Sequence, residues 1–174
     1  RLIVGTSGDR GVTLVDCAER KVVQQEQFVG LNIGHFAVTQ DGSHFAGSTE
    51  GLYRFGEDGS NLGLEAHDAG RADGIGQGYV GALLPAGEDG LWVGVGGSGL
   101  FLRDAPSAGY RGYRHDPAVP DSLSGDYVTA LLAAPDGRLW VGTRSNGLNR
   151  CRIAPFSCER FDGRSASEPN LRHY

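Results

Sequence analysis

The sequence predicts an all-β chain assembled from tandem, four-stranded antiparallel units of about 48 residues. Three observations carry this: markers that return at one period, short apolar or alternating runs separated by turn residues, and a glycine count of 29 in 174 residues. The Gly-Leu pair falls at Gly51-Leu52, Gly99-Leu100 and Gly147-Leu148, and the Asp-Gly pair at Asp41-Gly42, Asp89-Gly90 and Asp136-Gly137. Trp92 returns as Trp140, Tyr79 as Tyr127, Asp73 as Asp121, and His67-Asp68 as His115-Asp116. Independent markers keeping one spacing are the mark of tandem units.

Taken in order, the first segment enters mid-unit: "RLIVGTSGDRGVTLVD" aligns with "RLWVGTRSNGLNRC" from Arg138 onward. The divisions expected are 1–30 as a partial unit, 31–78 and 79–126 as whole units, and 127–174 as a unit plus the connector to a further one. Within the last, "YVTALLAA" is a continuous apolar run, expected as a strand buried on both faces. "PDG" turns the chain, and "RLWVGT" then alternates Leu139, Val141 and Thr143 on one face with Trp140 and Gly142 on the other. A loop "RSN" leads to "GLNRCRI", and "SCERF" closes the unit. No helical period persists anywhere. Four short strands per unit of this length is the pattern of a β-propeller blade, so the chain reads as a β-propeller fragment of about 3.6 blades. Glycine is then needed in the many turns and where neighbouring sheets approach closely.

Composition bounds the function. With 39% hydrophobic and 21% charged residues the chain is that of a globular protein. Its net charge of -5 and scattered arginines exclude the clustered basic footprint of a nucleic-acid binder. No stretch reaches the roughly 20 apolar residues of a membrane-spanning helix, so no direct membrane contact is expected. Methionine is absent and the chain begins at Arg1, which reads as a piece of something longer.

Residues 115–150, "HDPAVPDSLSGDYVTALLAAPDGRLWVGTRSNGLNR", closely resemble the two-component-regulator propeller repeat. The resemblance is good over 67–103 and looser over 1–60, where "GSHFAGSTEGLYR" replaces the usual core. Such repeats occur in tandem in the extracytoplasmic sensor regions of bacterial hybrid histidine kinases and diguanylate cyclase receptors. The resemblance implies a seven-bladed propeller, or two in series, on the periplasmic or extracellular side of an inner-membrane receptor. It also implies a sensory role, with a small-molecule or carbohydrate-like ligand read by the receptor. Since propellers close with about four to eight blades, the remaining blades are expected from the parent chain or from a second copy.

Candidate chemistry is weighed against architecture. A catalytic residue is needed once, whereas Asp136-Gly137 and Trp140 have counterparts one unit earlier, so the phrase "DGRLWVGT" reads as a hairpin turn and an interblade tryptophan. The sialidase Asp-box is excluded because its glycine stands two positions after the aspartate. The His-Asp pairs fall in connectors, where a structural role outweighs a ligand role, and two residues do not make a zinc site. His35 stands where Ala82 and Ala130 stand in the other units. It either reaches the channel or is a satisfied core histidine, and the second is favoured. No catalytic constellation, cofactor motif or metal site is expected.

In propellers the interunit connectors and the loops between second and third strands gather at the channel mouth. Arg144 and Asn146 in the "RSN" loop, with His115, Tyr127, His67 and Arg71 on connectors, are therefore the expected ligand contacts. Cys151 and Cys158 take the places of Arg103 and Tyr110, on facing strands of one hairpin. Opposite residues in an antiparallel ladder lie within disulfide range, and a disulfide would imply an oxidising compartment; the alternative is a pair of reduced core thiols. Cys17 has no evident partner. The leading function is a non-enzymatic sensor segment, and the alternatives are part of a propeller lyase of the streptogramin or polysaccharide type, or a pure assembly module.

Overall fold

A computed structural model describes residues 2–5, 12–27, 32–56, 58, 60–65, 67, 70, 72–105 and 109–161. Fifteen strands and no helix occur among them. Sheet I holds β1 (Leu2–Gly5), β2 (Val12–Asp16) and β3 (Lys21–Gln27). Sheet II holds β4 (Ile33–Val38), β5 (His44–Ser48), β6 (Leu52–Phe55) and β7 (Asn61–Glu65). Sheet III holds β8 (Val80–Ala86), β9 (Gly90–Val95), β10 (Gly99–Arg103) and β11 (Tyr110–Tyr113). Sheet IV holds β12 (Val128–Ala133), β13 (Leu139–Thr143), β14 (Leu148–Ile153) and β15 (Phe156–Phe161). Every sheet is an antiparallel meander in chain order, and its first strand touches the first strand of the next: β1 meets β4, β4 meets β8, β8 meets β12. Four-stranded sheets packed side by side with their first strands innermost are the blades of a β-propeller.

Each pair of sheets encloses its own core. Between II and III lie Phe45, Leu52, Val80, Leu91, Val93, Val95 and Phe101. Between III and IV lie Trp92, Leu100, Leu123, Val128, Leu139 and Val141. Residues alternating along β9 serve the two cores in turn, because successive side chains of a strand point to opposite faces. The β9 burial is therefore complete, whereas β12, sheeted over on one face only, leaves Ala130 and Leu132 exposed, Leu132 at 62%. The apolar run "VTALLA" thus differs from the doubly buried strand its composition predicts. The counterpart run in β8, lying between β4 and β12, is the one that approaches that state.

The turns revise one alignment. In sheets II and IV the hairpin closes with Thr39 N–H donating to the Ser43 carbonyl at 3.0 Å and Ala134 N–H to the Arg138 carbonyl at 2.8 Å, and Gly42 and Gly137 adopt φ of 79° and 78°. Positive φ favours glycine. In sheet III the residue with that conformation is Gly87, φ 61°, while Gly90 has entered the strand opposite Ala86. Asp89-Gly90 is therefore displaced by one position from Asp41-Gly42 and Asp136-Gly137, and Glu88 takes the place of the turn aspartate.

Close sheet approach explains another glycine. A Cβ on Gly47 would lie 2.6 Å from the Val80 carbonyl oxygen and 2.8 Å from its Cγ1, so only hydrogen fits between β5 and β8.

The II–III and III–IV seams are fastened differently at the outer rim. Between II and III, Arg103 extends to Glu65 with Nη1 to Oε1 at 3.4 Å, and the Tyr110 hydroxyl donates to Glu65 Oε2. The guanidinium lies 4.7 Å above the Phe45 ring. Between III and IV the positions of Arg103 and Tyr110 are held by Cys151 and Cys158, joined as a disulfide with Cα atoms 4.0 Å apart, while Tyr113 stacks on Phe156 at 3.9 Å. Tyr113 stands where Glu65 stands one sheet earlier. An ion-pair fastener has been exchanged, as a set, for an apolar and covalent one.

Candidate functional site

The inner strands share a local irregularity that shapes the rim. Pairing shifts between Ile33 and His35, between Val80 and Ala82, and between Val128 and Ala130, leaving Gly34, Gly81 and Thr129 as the extra residues. A bulge bends the strand and re-aims its neighbours, and here it falls just after Asn32, Tyr79 and Tyr127. Backbone bonds then weld connectors to loops in a row. Gly96 N–H donates to the Tyr79 carbonyl at 2.8 Å, Gly97 and Gly99 N–H to the Asp126 carbonyl at 3.1 and 2.9 Å, and Arg144 N–H to the Tyr127 carbonyl at 2.9 Å. Ser98 Oγ donates to the Gln77 carbonyl at 2.5 Å.

On this frame Arg144 and Tyr127 come together: the guanidinium carbon sits 5.1 Å from the ring centroid, within cation–π range. Tyr127, 37% exposed, rests against Gly96, where a Cβ would come within 2.8 Å of the phenol ring. Asn146 is exposed and packs on Gly125, whose added Cβ would fall 2.5 Å from Asn146 Oδ1. Its backbone N–H donates to Thr143 Oγ1 at 3.1 Å, which fixes the loop. The outcome is an aromatic face, a guanidinium and a carboxamide on one rim, groups suited to stacking on a sugar ring and binding a carboxylate.

The histidines serve the connectors. His115 Nδ1 is 2.7 Å from the Leu123 carbonyl, and His67 Nδ1 is 3.0 Å from the Ile75 carbonyl, the same eight-residue reach in both units. A carbonyl only accepts, so each Nδ1 carries the proton and donates. The residues so fastened, Leu123 and Ile75, are 0% and 3% exposed and plug the cores beneath. The His115 backbone N–H also donates to Asp126 Oδ1 at 2.6 Å, which brings the residue to the Tyr127 end of the row. His67 belongs to the connector one sheet earlier and does not join Arg144. Arg71 lies outside the described residues.

Tyr79 was legible only as a repeat marker, yet it belongs to the rim: burial, followed by the nearby Tyr127, pushes its phenol above the usual tyrosine value. A Cβ on Gly81 would meet its ring at 3.2 Å, so a bulge glycine makes room for it. His35 is half-buried on β4, and that burial lowers its pKa from the ordinary imidazole value. Among the described residues no group of three or more histidine, cysteine or acidic side chains converges to hold a metal.

These features define a segment of a β-propeller with a polar, aromatic rim at one end of its strands. Residues 122–145 match the family model described as Two component regulator propeller. Among solved structures, the chain is similar to the extracellular domain of BT3049 from B. thetaiotaomicron, a chain ascribed to a hybrid two component system. The identity is 17% and the TM-score 0.66, covering 75% of this chain and 18% of that one. It is similar to PorZ, a bacterial surface component of the type-IX secretion system of Porphyromonas gingivalis, at 18% identity and TM-score 0.65, covering 92% and 25%. It is also similar to virginiamycin B lyase from Staphylococcus aureus at 12% identity and TM-score 0.61, covering 97% and 55%. At these identities the likeness is one of fold, and the chain spans only a fraction of each of these structures. No curated protein matches the chain.

Proposed function

We propose that this chain is a non-enzymatic, ligand-reading segment of a propeller sensor in an extracytoplasmic region of a bacterial signalling receptor. The observation that carries the reading is the family match over 122–145, which spans Tyr127 and Arg144, the pair stacked at the rim. The extracellular domain named for the B. thetaiotaomicron structure supports the same side of the membrane, as does the Cys151–Cys158 disulfide, since such bonds persist in oxidising compartments. The ligand is carbohydrate-like and anionic: Tyr127 offers a stacking face, Arg144 a fork for a carboxylate, and Asn146 a donor and an acceptor for hydroxyls. His115 borders this patch through Asp126, and the remaining blades come from the parent chain or a second copy.

A panel of acidic oligosaccharides, oligogalacturonides first, titrated into the intact chain tests this. Binding that Arg144→Ala and Tyr127→Ala each weaken about tenfold supports the assignment, since a hydrogen bond to a charged group contributes about 1.5–3 kcal/mol and an aromatic contact about 0.5–1.5 kcal/mol. Binding by some member of the panel that neither substitution alters would remove the rim from the proposal.

A further inference from the structure

A second recess lies at the opposite end of the strands from the rim, between sheets III and IV, with a volume of about 640 Å³. That is within the range of sites for small organic ligands, roughly 300–1,000 Å³. Its apolar floor and walls include Trp92, Leu102, Leu139 and Ile153. Its mouth carries three carboxylates, Glu88, Asp89 and Asp104, against one guanidinium, Arg138. Asp104 is already paired with Arg111 at 2.5 Å, and Arg138 faces Asp136 at 3.7 Å, which leaves Glu88 and Asp89 as the mouth charges without an ion-pair partner among the described residues.

The recess exists because this seam lacks two closures found at the preceding one. Between sheets II and III the Gln40 N–H donates to the Glu88 carbonyl at 3.1 Å, tying the two turns together. The Arg103 guanidinium there covers the Phe45 ring, and Phe45 stands where Trp92 stands one sheet later. Between III and IV no backbone bond joins the Ala86–Gly90 turn to the Ala134–Arg138 turn among the described residues, and the place of Arg103 is taken by Cys151, a short side chain drawn back to Cys158. The displaced Asp-Gly pair of sheet III sets Glu88 and Asp89 side by side on the lip. One seam of a repeating structure has thus been opened, lined with apolar side chains, and edged with negative charge.

We propose that this interblade recess binds a small organic cation, an aromatic or aliphatic body bearing an ammonium group. The body lies against Leu84, Ala133 and Ile153, above the buried Trp92 and Leu102, and the ammonium is held by Glu88 and Asp89. Apolar burial provides the attraction and the carboxylates the orientation, the usual division of labour in such a pocket. The site is separate from the rim and stands or falls independently of it.

The test is calorimetric titration of the intact chain with tryptamine, beside tryptophol, which has the same indole body without the charge, and indole-3-propionate, which reverses it. Tryptamine is expected to bind at least about tenfold more tightly than tryptophol, with indole-3-propionate weakest. Glu88→Gln with Asp89→Asn is expected to weaken tryptamine about five- to tenfold while leaving tryptophol unchanged, as loss of two partly exposed ion pairs would do. Ala133→Phe, at an exposed wall position, is expected to block both bodies. Equal binding of tryptamine and tryptophol, indifference to the paired acid substitution, or absence of tryptamine binding would each overturn the proposal. Rim variants such as Arg144→Ala are expected to leave tryptamine binding untouched.

Discussion

Replacing Glu65 with alanine is expected to destabilise the chain far more than an exposed carboxylate normally would. The Arg103 side chain it holds is only 4% exposed, its Nε has no hydrogen-bond partner among the described residues, and Glu65 and the Phe45 face are what compensate its charge. Stranding a buried charge costs about 3–5 kcal/mol. Glu65 itself is 35% exposed, so solvent screens part of that loss and about 2–3 kcal/mol is expected. For a chain of this length that corresponds to a melting temperature lower by roughly 5–10 °C. Arg103→Met should behave differently, because it removes the charge together with its need for a partner. Its cost is expected to stay near 1 kcal/mol, mainly the lost contact with Phe45. Urea denaturation followed by fluorescence reads both. A Glu65→Ala loss under about 1 kcal/mol, or an Arg103→Met loss as large as that of Glu65→Ala, would refute the reasoning.

Three further outcomes follow from the same geometry. Replacing Cys151 and Cys158 with serine, or reducing the bond, opens a loop of about eight residues, and the chain-entropy relation gives a loss of about 2.5 kcal/mol, measurable by denaturation with and without reductant. Asp41 is held at a pKa of about 2 by hydrogen bonds from the Thr39 hydroxyl and then the Ser43 backbone, against 3.8 ordinarily. A carboxyl depressed in the folded state contributes stability above its unfolded value, lost as pH falls from near 4 toward 2, so Asp41→Asn should flatten the stability profile in that window. Gly47→Ala, which drives a methyl into Val80, should cost about 1–3 kcal/mol. Gly42→Ala meets nothing within 4 Å and should cost about 1–2 kcal/mol through its φ of 79° alone; equal effects on β5–β8 packing probed by hydrogen exchange would contradict the distinction.

Much of the architecture was legible because the repeat fixes many residues by the same physical need. Gly99 and Gly147 both require positive φ, Trp92 and Trp140 hold one register, and Leu123 and Ile75 plug successive cores. The Asp89-Gly90 pair misled because a dipeptide marks a turn without saying which of its residues turns; Gly87 does so. The burial of β12 was overestimated because composition reports what a strand is fit to contact and not which neighbours are there. The bulges at Gly34, Gly81 and Thr129 left no trace, since neither glycine nor threonine distinguishes a bulge from a plain strand. At the rim, Arg144, Asn146 and Tyr127 could be read from loop position. The anchoring of His67 and His115 to carbonyls eight residues on could be suspected only from their recurrence. The Glu65–Arg103 contact, 38 positions apart, had no sequence signal beyond the joint change of Arg103 and Tyr110 to cysteine in the next unit.

The alternation of fasteners bears on how a polypeptide of look-alike modules avoids assembling out of order. Were sheet IV to dock on sheet II in place of sheet III, the Glu65 carboxylate would confront a sulfur-lined, oily edge with no cation to meet it. Sheet III of a second copy, docked in place of sheet IV, would bring its Arg103 against the Tyr113 ring of the first without its acid. Either mismatch forfeits the compensation of a desolvated ion, so each joint recognises its rightful neighbour. Kinship in sequence, which invites swapping between modules, is countered by chemistry that differs from one hinge line to the next.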